Sequence, residues 1–197
     1  NFCEIGGGFG SLAEIIIRNL NIKYFSIDLP EENLLTAYYL KENFPDKKFF
    51  LFDDYELNQF FSLEDFNQSD IIILPPNCNI DERIKLELFI NTRSMMEMNF
   101  DVIAYYFQFI QKHISENGYF LNINRYEKRV VEDRPIRISE YPYDEDWQVI
   151  LSAPLSDQKH IHYLLTRRTN VAKEKDIQPM LMAIHQFLMK NPIFKGP

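Results

Sequence analysis

The sequence is poor in the residues from which several kinds of site and partner are built. Its 197 residues include only two cysteines, four histidines and one tryptophan, and 29 acidic residues outnumber 21 basic ones. Two cysteines cannot form a disulfide framework, so Cys3 and Cys78 are predicted to be reduced thiols of a cytoplasmic protein. The net charge of −8 argues against nucleic acid as a partner, because binding a phosphate backbone requires a basic face.

Long apolar runs are also missing. No stretch approaches ~20 consecutive apolar residues, so no helix is predicted to span a membrane, and no signal peptide is visible. The chain begins almost inside its first motif, from which we expect that an N-terminal segment precedes it in the whole protein. The length predicts a single domain over residues 1–197 and leaves the oligomeric state open.

Apolar runs and helical periodicity alternate along the chain. Strands are predicted at 2–5, 24–27, 70–74, 87–91, 119–124, 147–153 and 160–166, and helices at 11–20, 31–44, 100–117 and 177–190, the last within a C-terminal stretch 171–197. The run 49–52 competes with 70–74 for the place of third strand, and the latter is preferred. The alternation predicts an α/β fold with a Rossmann-like, doubly wound and mostly parallel sheet. The last two strands have no helix between them, so the final strand is predicted to be antiparallel.

Glycine is scarce, and four of the chain's six glycines lie between Gly6 and Gly10. They follow a predicted strand and precede a predicted helix. Glycines at this place allow a tight turn and close approach of a ligand, and a helix N-terminus offers free N–H groups. A dinucleotide fingerprint would need glycine at Ser11, and a phosphate-binding P-loop would need a lysine that is absent. The alternative is a tight turn that holds no ligand.

The spacing that is present is an acidic residue followed by glycines at alternate positions. It resembles the first motif of the class I S-adenosylmethionine-dependent methyltransferases, whose sheet has seven strands with an antiparallel last strand. The resemblance implies a seven-stranded sheet here and S-adenosyl-L-methionine as the cofactor. The residues that it places against the cofactor are Glu4, Gly6, Gly7, Gly8 and Gly10.

A second acidic residue is expected to end the second strand and hold the ribose hydroxyls. Asp28 lies 18 residues after Gly10, within Asp28-Leu29-Pro30, and capping of the next helix is its alternative role. The same Asp-Leu-Pro sequence is similar to that of many small-molecule O-methyltransferases.

A closer resemblance rests on Asn91-Thr92-Arg93-Ser94-Met95-Met96-Glu97-Met98, read with the segments 38–40 and 120–125. These segments look like the putative sugar O-methyltransferase family, and the resemblance runs from residue 1 to about 170. It implies a sugar or nucleotide-sugar substrate, and further cofactor contacts from Leu29, Asn77, Asn91 and Thr92. The adenine contact stays open between Asp53, Asp54 and Asn77.

A sugar hydroxyl is a poor nucleophile, so a general base assists its methylation. Glu97 is the first candidate for this base, and its alternative role is a helix N-terminal carboxylate. Arg93 is predicted to hold a substrate phosphate or carboxylate, or to pair with an acidic neighbour. The basic residues from Arg125 to Arg137 alternate with acidic ones, including Glu132 and Asp133; they form either a solvated face or a cover over a nucleotide-sugar diphosphate.

His160 and His162 have a spacing that could bind a metal, but no carboxylate or cysteine pattern supports one, and no metal is predicted. The predicted function is that of an O-methyltransferase (EC 2.1.1 type) acting on a sugar or glycan precursor. The alternatives are a methyltransferase for a non-sugar small molecule, a catalytically inactive interaction module with the same fold, and a Rossmann-like oxidoreductase, which Ser11 opposes.

Overall fold

The computed structural model describes residues 1–129 and 134–191. Glu132 and Asp133 of the basic segment, and the end of the predicted C-terminal stretch from 192 to 197, lie outside the described residues. The chain divides into two compact units, Asn1–Ile90 and Asn91–Pro197. Each unit is described by itself.

The first unit alternates strands and helices, as the periodicity predicts. Its elements are β1 (Phe2–Ile5), α1 (Ser11–Asn19), β2 (Tyr24–Ile27), α2 (Pro30–Asn43), β3 (Phe49–Phe50), α3 (Phe52–Asn58), α4 (Leu63–Gln68), β4 (Ile71–Leu74) and most of β5 (Leu86–Thr92). The pairs β1–β2, β2–β4 and β3–β4 are all parallel. Every residue of β1, β2 and β4 is buried, as expected for parallel strands covered by helices on both faces.

The register of this unit sets where its loops leave the sheet. Ile5 of β1 pairs with Ile27 of β2, and Ile27 pairs with Leu74 of β4. Three strands therefore end at one level, and the loops that follow them start side by side.

The second unit is mainly antiparallel. Its elements are α5 (Phe100–His113), β6 (Ile114–Arg125), β7 (Glu127–Lys128), β8 (Ile136–Arg137), β9 (Trp147–Pro154), β10 (Ile161–Arg168) and α6 (Ile177–Lys190), with 3-10 turns at Met95–Glu97, Ile138–Glu140 and Ala172–Glu174. β10 is antiparallel to both β6 and β9. The core of the second unit is aromatic: the centroid of the Phe107 ring lies 4.7 Å from that of Tyr143 and 5.7 Å from that of Phe120.

The strands of the sheet follow the order β3-β4-β2-β1-β5-β6-β10-β9. This confirms the predicted Rossmann-like, mostly parallel sheet with an antiparallel last strand. The predicted number of seven strands is wrong, because the sheet has eight. The sequence analysis predicts that only one of the runs 49–52 and 70–74 is the third strand. Both contribute: Phe49 and Phe50 form β3 and pair with Ile71 and Ile72 of β4.

The end of one helix differs from the prediction by four residues, and two short helices are not predicted. α5 ends at His113 and β6 begins at Ile114, so the predicted helix to residue 117 is too long and Gly118 lies inside a strand. The short helices α3 and α4, of seven and six residues, have too few apolar positions to show a period. α4 nevertheless carries a sequence signal, because Ser62 and Asp65 form a capping box at its start.

The sequence predicts neither a disulfide nor a membrane-spanning helix. Cys3 and Cys78 are both free thiols, as the low cysteine count predicts. Among the described residues, no helix is both long enough and apolar enough to cross a bilayer.

Candidate functional site

The glycine loop in the first unit has a backbone that only glycine adopts readily. φ is 71° at Gly6, 57° at Gly8 and 91° at Gly10, all in the left-handed region where a Cβ is unfavourable. Gly6 N donates to Ile27 O at 3.0 Å, which ties the loop to β2. α1 starts directly after Gly10 and has no side-chain cap. The N–H groups of its first turn, which have no intrahelical acceptor, therefore gain no acceptor from a capping side chain.

Glu4, the acidic residue of the motif, supports this loop from the end of β1. It is 3% exposed, and its Oε2 accepts a hydrogen bond of 2.9 Å from Tyr24 OH. A Cβ on Gly7 would lie 2.9 Å from the same oxygen, so the loop packs directly against the carboxylate. Burial raises the pKa of Glu4, and the hydrogen bond from Tyr24 partly offsets this rise.

Asp28 joins the second strand to the glycine loop. Its Oδ2 accepts from Gly8 N at 2.9 Å and its Oδ1 from Leu29 N at 2.8 Å. α2 has no side-chain cap, so the alternative role of Asp28 as the cap of this helix is not what the structure has. Burial raises the pKa of Asp28, while the hydrogen bonds from Leu29 and Gly8 oppose the rise. The glycine loop and the acidic residue at the end of β2, both predicted from the sequence, are thus joined by a hydrogen bond.

The buried face of α2 holds the loop with polar side chains. Thr36 Oγ1 donates to Gly8 O, and Asn33 Nδ2 donates to Asp28 O at 2.9 Å. Sequence reasoning missed both residues. The sequence shows that Asn33 and Thr36 lie three apart, but the structure shows that they are buried while Leu34 and Tyr38 are 72% and 69% exposed, the reverse of an ordinary amphipathic helix.

Space beside the loop differs from one glycine to the next. A Cβ on Gly10 would lie 3.2 Å from Thr36 Cγ2, whereas a Cβ on Gly8 would have nothing within 4 Å. The open side of the loop is therefore at Gly8, next to the carboxylate of Asp28. Among Gly7, Gly8 and Gly10, only Gly8 leaves room for a ligand at the backbone.

The three residues considered for the adenine contact, Asp53, Asp54 and Asn77, lie at different places in the first unit. Asn77 follows β4, with φ of 70°, and β4 ends in register with the strand that precedes Asp28. Asp54 instead caps α3, its Oδ2 accepting from Leu51 N at 2.8 Å, and Asp53 is exposed in the first turn of the same helix. Position thus favours Asn77, together with Leu29, which is 59% exposed. Contact of either with a cofactor stays a prediction.

The second unit contains a chain of three buried amides, the asparagine network of Asn91, Asn122 and Asn124. All three residues are 0% exposed. Asn124 Nδ2 donates to Asn91 Oδ1 at 2.7 Å and to Asn122 Oδ1 at 2.6 Å. The Asn91 side chain also donates to Ser94 Oγ. Asn91 therefore uses its amide inside the protein, and its predicted cofactor contact, like that of the half-buried Thr92, stays a prediction.

The asparagine network holds the 3-10 turn that carries Glu97. Asn91 Oδ1 accepts from Met95 N at 3.2 Å, and Asn124 Oδ1 accepts from Met96 N at 3.1 Å. These are backbone N–H groups at the start of the turn, which have no partner within it. The resemblance pointed to the Asn91–Met98 segment, but only the fold shows that Asn122 and Asn124 position it.

Glu97 itself is accessible. Its side chain is 52% exposed, and Oε1 lies 3.0 Å from Lys128 Nζ. α5 begins after Glu97, at Phe100, and is capped by Asn99, whose Oδ1 accepts from Val102 N at 2.9 Å. Glu97 is therefore not the first-turn carboxylate of that helix, which was its alternative role.

Arg93 and Arg125 are two cationic side chains whose charges act on the same residue, His160. Arg93 N donates to Ile123 O at 2.8 Å, and its Nη2 donates to the neutral Gln158 Oε1 at 2.6 Å. Ile161, which follows His160, pairs with Arg125 across the sheet. Burial lowers the pKa of His160, and the charges of Arg125 and Arg93 lower it further.

The remainder of the basic segment is largely paired. Arg137 Nε lies 2.7 Å from Glu127 Oε2, and its Nη1 lies 2.9 Å from Glu140 Oε1. Arg134 instead lies over the Phe100 ring at 3.9 Å. The metal alternative finds no support in residues 1–129 and 134–191, where no group of three or more His, Cys, Asp or Glu could hold an ion. His160 also precedes β10, so it does not share a strand with His162.

The asparagine network predicts a large stability effect. Replacing Asn124 by aspartate keeps the side-chain shape but turns its donor into an oxygen that faces the two accepting amide oxygens. Leaving buried polar groups unpaired costs about 1–3 kcal/mol each, so we expect the free energy of unfolding in urea to fall by about 3 kcal/mol or more. Asn21→Asp, at an exposed position, is the control; equal small losses for both variants would contradict the network's role.

Comparison with known proteins gives the fold. No family model matches the sequence, and no curated protein matches it. An O-methyltransferase family 2 protein from Planctomyces limnophilus, solved with apigenin, has a TM-score of 0.55 and 13% identity, with 85% of this chain and 50% of that protein covered. This chain therefore spans about half the length of that protein.

Two further solved structures are similar over more of their own length. An S-adenosylmethionine-dependent methyltransferase from Clostridium acetobutylicum has a TM-score of 0.54 and 11% identity, covering 86% of this chain and 84% of that one. The magnesium protoporphyrin IX methyltransferase of Synechocystis, solved with bound S-adenosylmethionine, has a TM-score of 0.53 and 9% identity, covering 85% and 69%. At these identities the likeness concerns the fold: this chain has the fold of the S-adenosylmethionine-dependent methyltransferases.

Proposed function

We propose that this protein is an S-adenosylmethionine-dependent methyltransferase. One observation carries the proposal: the only open side of the glycine loop among Gly7, Gly8 and Gly10 is at Gly8, whose N–H bonds to the buried carboxylate of Asp28. The cofactor bound to the Synechocystis neighbour supports the same choice of ligand, because the two proteins share a fold.

The residues of the loop fit an adenosyl ligand. Each oxygen of Asp28 accepts one backbone N–H, from Gly8 or Leu29, and an ionised carboxylate has about four acceptor sites. One site on each oxygen thus remains for a ribose hydroxyl while the loop keeps its bonds. The uncapped N-terminus of α1 favours a ligand atom that accepts hydrogen bonds, such as a carboxylate.

The chemistry assigned to the chain is transfer of a methyl group to a hydroxyl. S-adenosylmethionine supplies the methyl on a sulfonium, so that the carbon–sulfur bond breaks as the carbon–oxygen bond forms and S-adenosylhomocysteine leaves. Glu97 takes the proton of the acceptor hydroxyl. Lys128, 3.0 Å from Glu97 Oε1, restrains the carboxylate, and the asparagine network fixes the backbone from which Glu97 extends.

For the acceptor we propose a sugar or nucleotide-sugar hydroxyl. The support is the pair of guanidinium groups of Arg93 and Arg125 near His160, since guanidinium groups bind phosphate oxygens in a fixed geometry. A non-sugar hydroxyl is the second candidate, favoured by the fold shared with a protein solved in complex with apigenin. Faster methylation of an acceptor that carries a phosphate, such as a nucleotide sugar, would favour the first candidate over the second.

The proposal is tested first by calorimetry. We expect S-adenosylmethionine and S-adenosylhomocysteine to bind and NAD not to bind; binding of NAD alone would favour the oxidoreductase alternative. Formation of S-adenosylhomocysteine is then measured with monosaccharides, nucleotide sugars and apigenin as acceptors. Binding of the cofactor without turnover on any acceptor would favour the inactive-module alternative.

Gly8→Ala separates ligand binding from folding. Because nothing lies within 4 Å of the added Cβ, the cost in unfolding free energy is limited to the left-handed backbone, about 1–2 kcal/mol. The methyl group occupies the open side of the loop, so we expect the affinity for S-adenosylhomocysteine to fall at least 10-fold by calorimetry. A folded variant that binds with unchanged affinity would show that the ligand does not use this space.

A further inference from the structure

The outward face of α2 in the first unit is apolar, which is unusual for the surface of a helix. Leu34, Leu35 and Tyr38 are 72%, 53% and 69% exposed, whereas Asn33 and Thr36 on the inward side are buried. Large apolar residues grouped on a surface mark places where another molecule binds, and aromatic residues are enriched at the centres of such interfaces. The outward face of α2 is therefore a candidate interaction surface.

The orientation of α2 is fixed by its polar side chains. Thr36 Oγ1 donates to Gly8 O, and Asn33 Nδ2 donates to Asp28 O at 2.9 Å. A rotation of the helix that buried its leucines would break both hydrogen bonds and leave buried polar groups without partners, which is unfavourable. The first unit therefore exposes the apolar face of α2 whenever the glycine loop is in place.

Four exposed residues of α2 form a stripe along this face: Glu31, Leu34, Tyr38 and Lys41. They are spaced by three, four and three positions, and residues three or four apart lie on the same side of a helix. This spacing is the same when it is read from either end, with the buried Thr36 at its midpoint. An acidic residue begins the stripe, a basic residue ends it, and the two central residues are apolar.

A stripe with this symmetry is complementary to itself. A two-fold axis through its midpoint runs a second copy of α2 in the opposite direction, so that each Leu34 lies opposite the Tyr38 of the other copy. The same axis places each Glu31 opposite the Lys41 of the other copy, which gives two ion pairs of opposite charge. A parallel arrangement would instead place like charges together, which is unfavourable.

We propose that the outward face of α2 binds the same face of a second copy of this chain, as an antiparallel pair of helices. Burial of Leu34, Leu35 and Tyr38 drives the association, because both copies carry the same net charge of −8 and repel each other at long range. The pairs of Glu31 with Lys41 set the direction of the helices. The interface uses none of the residues assigned to methyl transfer, so it stands or falls independently of the proposed function.

Sedimentation velocity over a range of micromolar concentrations tests the association, with a reductant present so that the free thiol of Cys78 cannot cross-link two chains. We expect the wild-type chain to pass from monomer to dimer as its concentration rises. Leu34→Ser is expected to raise the dissociation constant at least 10-fold without lowering the urea midpoint of the monomer. Leu57→Ser, at an 83% exposed position of α3, is the matched control and should leave the dissociation constant within 2-fold. A wild-type chain that stays monomeric, or equal effects of the two variants, would overturn the proposal.

A charge exchange tests the antiparallel direction. Glu31→Lys and Lys41→Glu each place like charges opposite one another at both ends of the interface, so each is expected to raise the dissociation constant at least 5-fold. The double variant restores opposite charges and is expected to return within about 2-fold of the wild type. Within one chain the two positions lie about 15 Å apart along the helix, so this rescue requires a second copy. Glu56→Lys, exposed on α3, controls for the change in net charge, and a dimer that the double variant does not restore would refute the antiparallel pair.

Discussion

Asp28→Asn is expected to weaken the binding of S-adenosylmethionine and S-adenosylhomocysteine by about 100-fold. The amide keeps the size of the side chain but presents an –NH₂ group to the N–H of Gly8 or Leu29, and it has fewer acceptor sites for ribose hydroxyls. Hydrogen bonds to a charged group contribute about 1.5–3 kcal/mol each, and about 2.8 kcal/mol corresponds to a 100-fold change in affinity. Calorimetry with both ligands gives the measurement.

Two controls define this result. Asp46→Asn removes a charge from an exposed position of the same unit and should leave the affinity within about 2-fold, as expected of a screened surface charge. The urea midpoint of Asp28→Asn shows whether the loop variant remains folded. A folded variant with wild-type affinity would refute the ribose assignment, whereas normal binding with NAD alone would refute the choice of cofactor.

Glu97→Gln is expected to lower kcat by about 10²–10³-fold while the affinity for S-adenosylhomocysteine stays within 2-fold. Glutamine matches glutamate in shape but cannot take up a proton, and general-base catalysis contributes about 10²–10⁴-fold to a rate. The rate is measured as release of S-adenosylhomocysteine with whichever acceptor the panel identifies. Loss of cofactor affinity equal to the loss of kcat would indicate a binding role instead.

Glu97 also pairs with Lys128, so the ion pair needs its own control. Lys128→Gln breaks the same pair and keeps the carboxylate, and we expect it to retain most of the turnover, because exposed ion pairs contribute about 0–1 kcal/mol. Asp101→Asn, in the first turn of α5, controls for the loss of a nearby negative charge. Equal losses in Glu97→Gln and Lys128→Gln would assign Glu97 a structural role.

The parts of the fold that were predictable are those encoded in contiguous sequence. The glycine loop and the end of β2 follow from local pattern, because the positive φ at Gly6, Gly8 and Gly10 favours glycine through the backbone itself. The antiparallel final strands follow from the absence of a helix between them. These inferences need only chain chemistry and the rule that parallel strands require long connections.

The errors arise where the local pattern is too short or too ambiguous, so that pairing with distant strands decides the structure. β3 has two residues, too few to show a period, and its status depends on pairing with β4. α5 continues its helical pattern into the polar segment after His113, where hydropathy does not distinguish an exposed helix end from the edge of a strand. In the fold this segment belongs to β6, which begins at Ile114 and pairs with β10 from Tyr119 onward, and a propensity argument does not include such pairing.

The sequence by itself determined the class of sheet, the place of the glycine loop and the acidic residue that bonds to it, because each depends on residues close together or on strand order. Only the tertiary structure decided which groups support those sites. Asn91 and Asn124 are joined across neighbouring strands, and Thr36 reaches Gly8 from α2. Buried polar side chains must find partners wherever the chain brings them, and those partners are set by packing between distant segments.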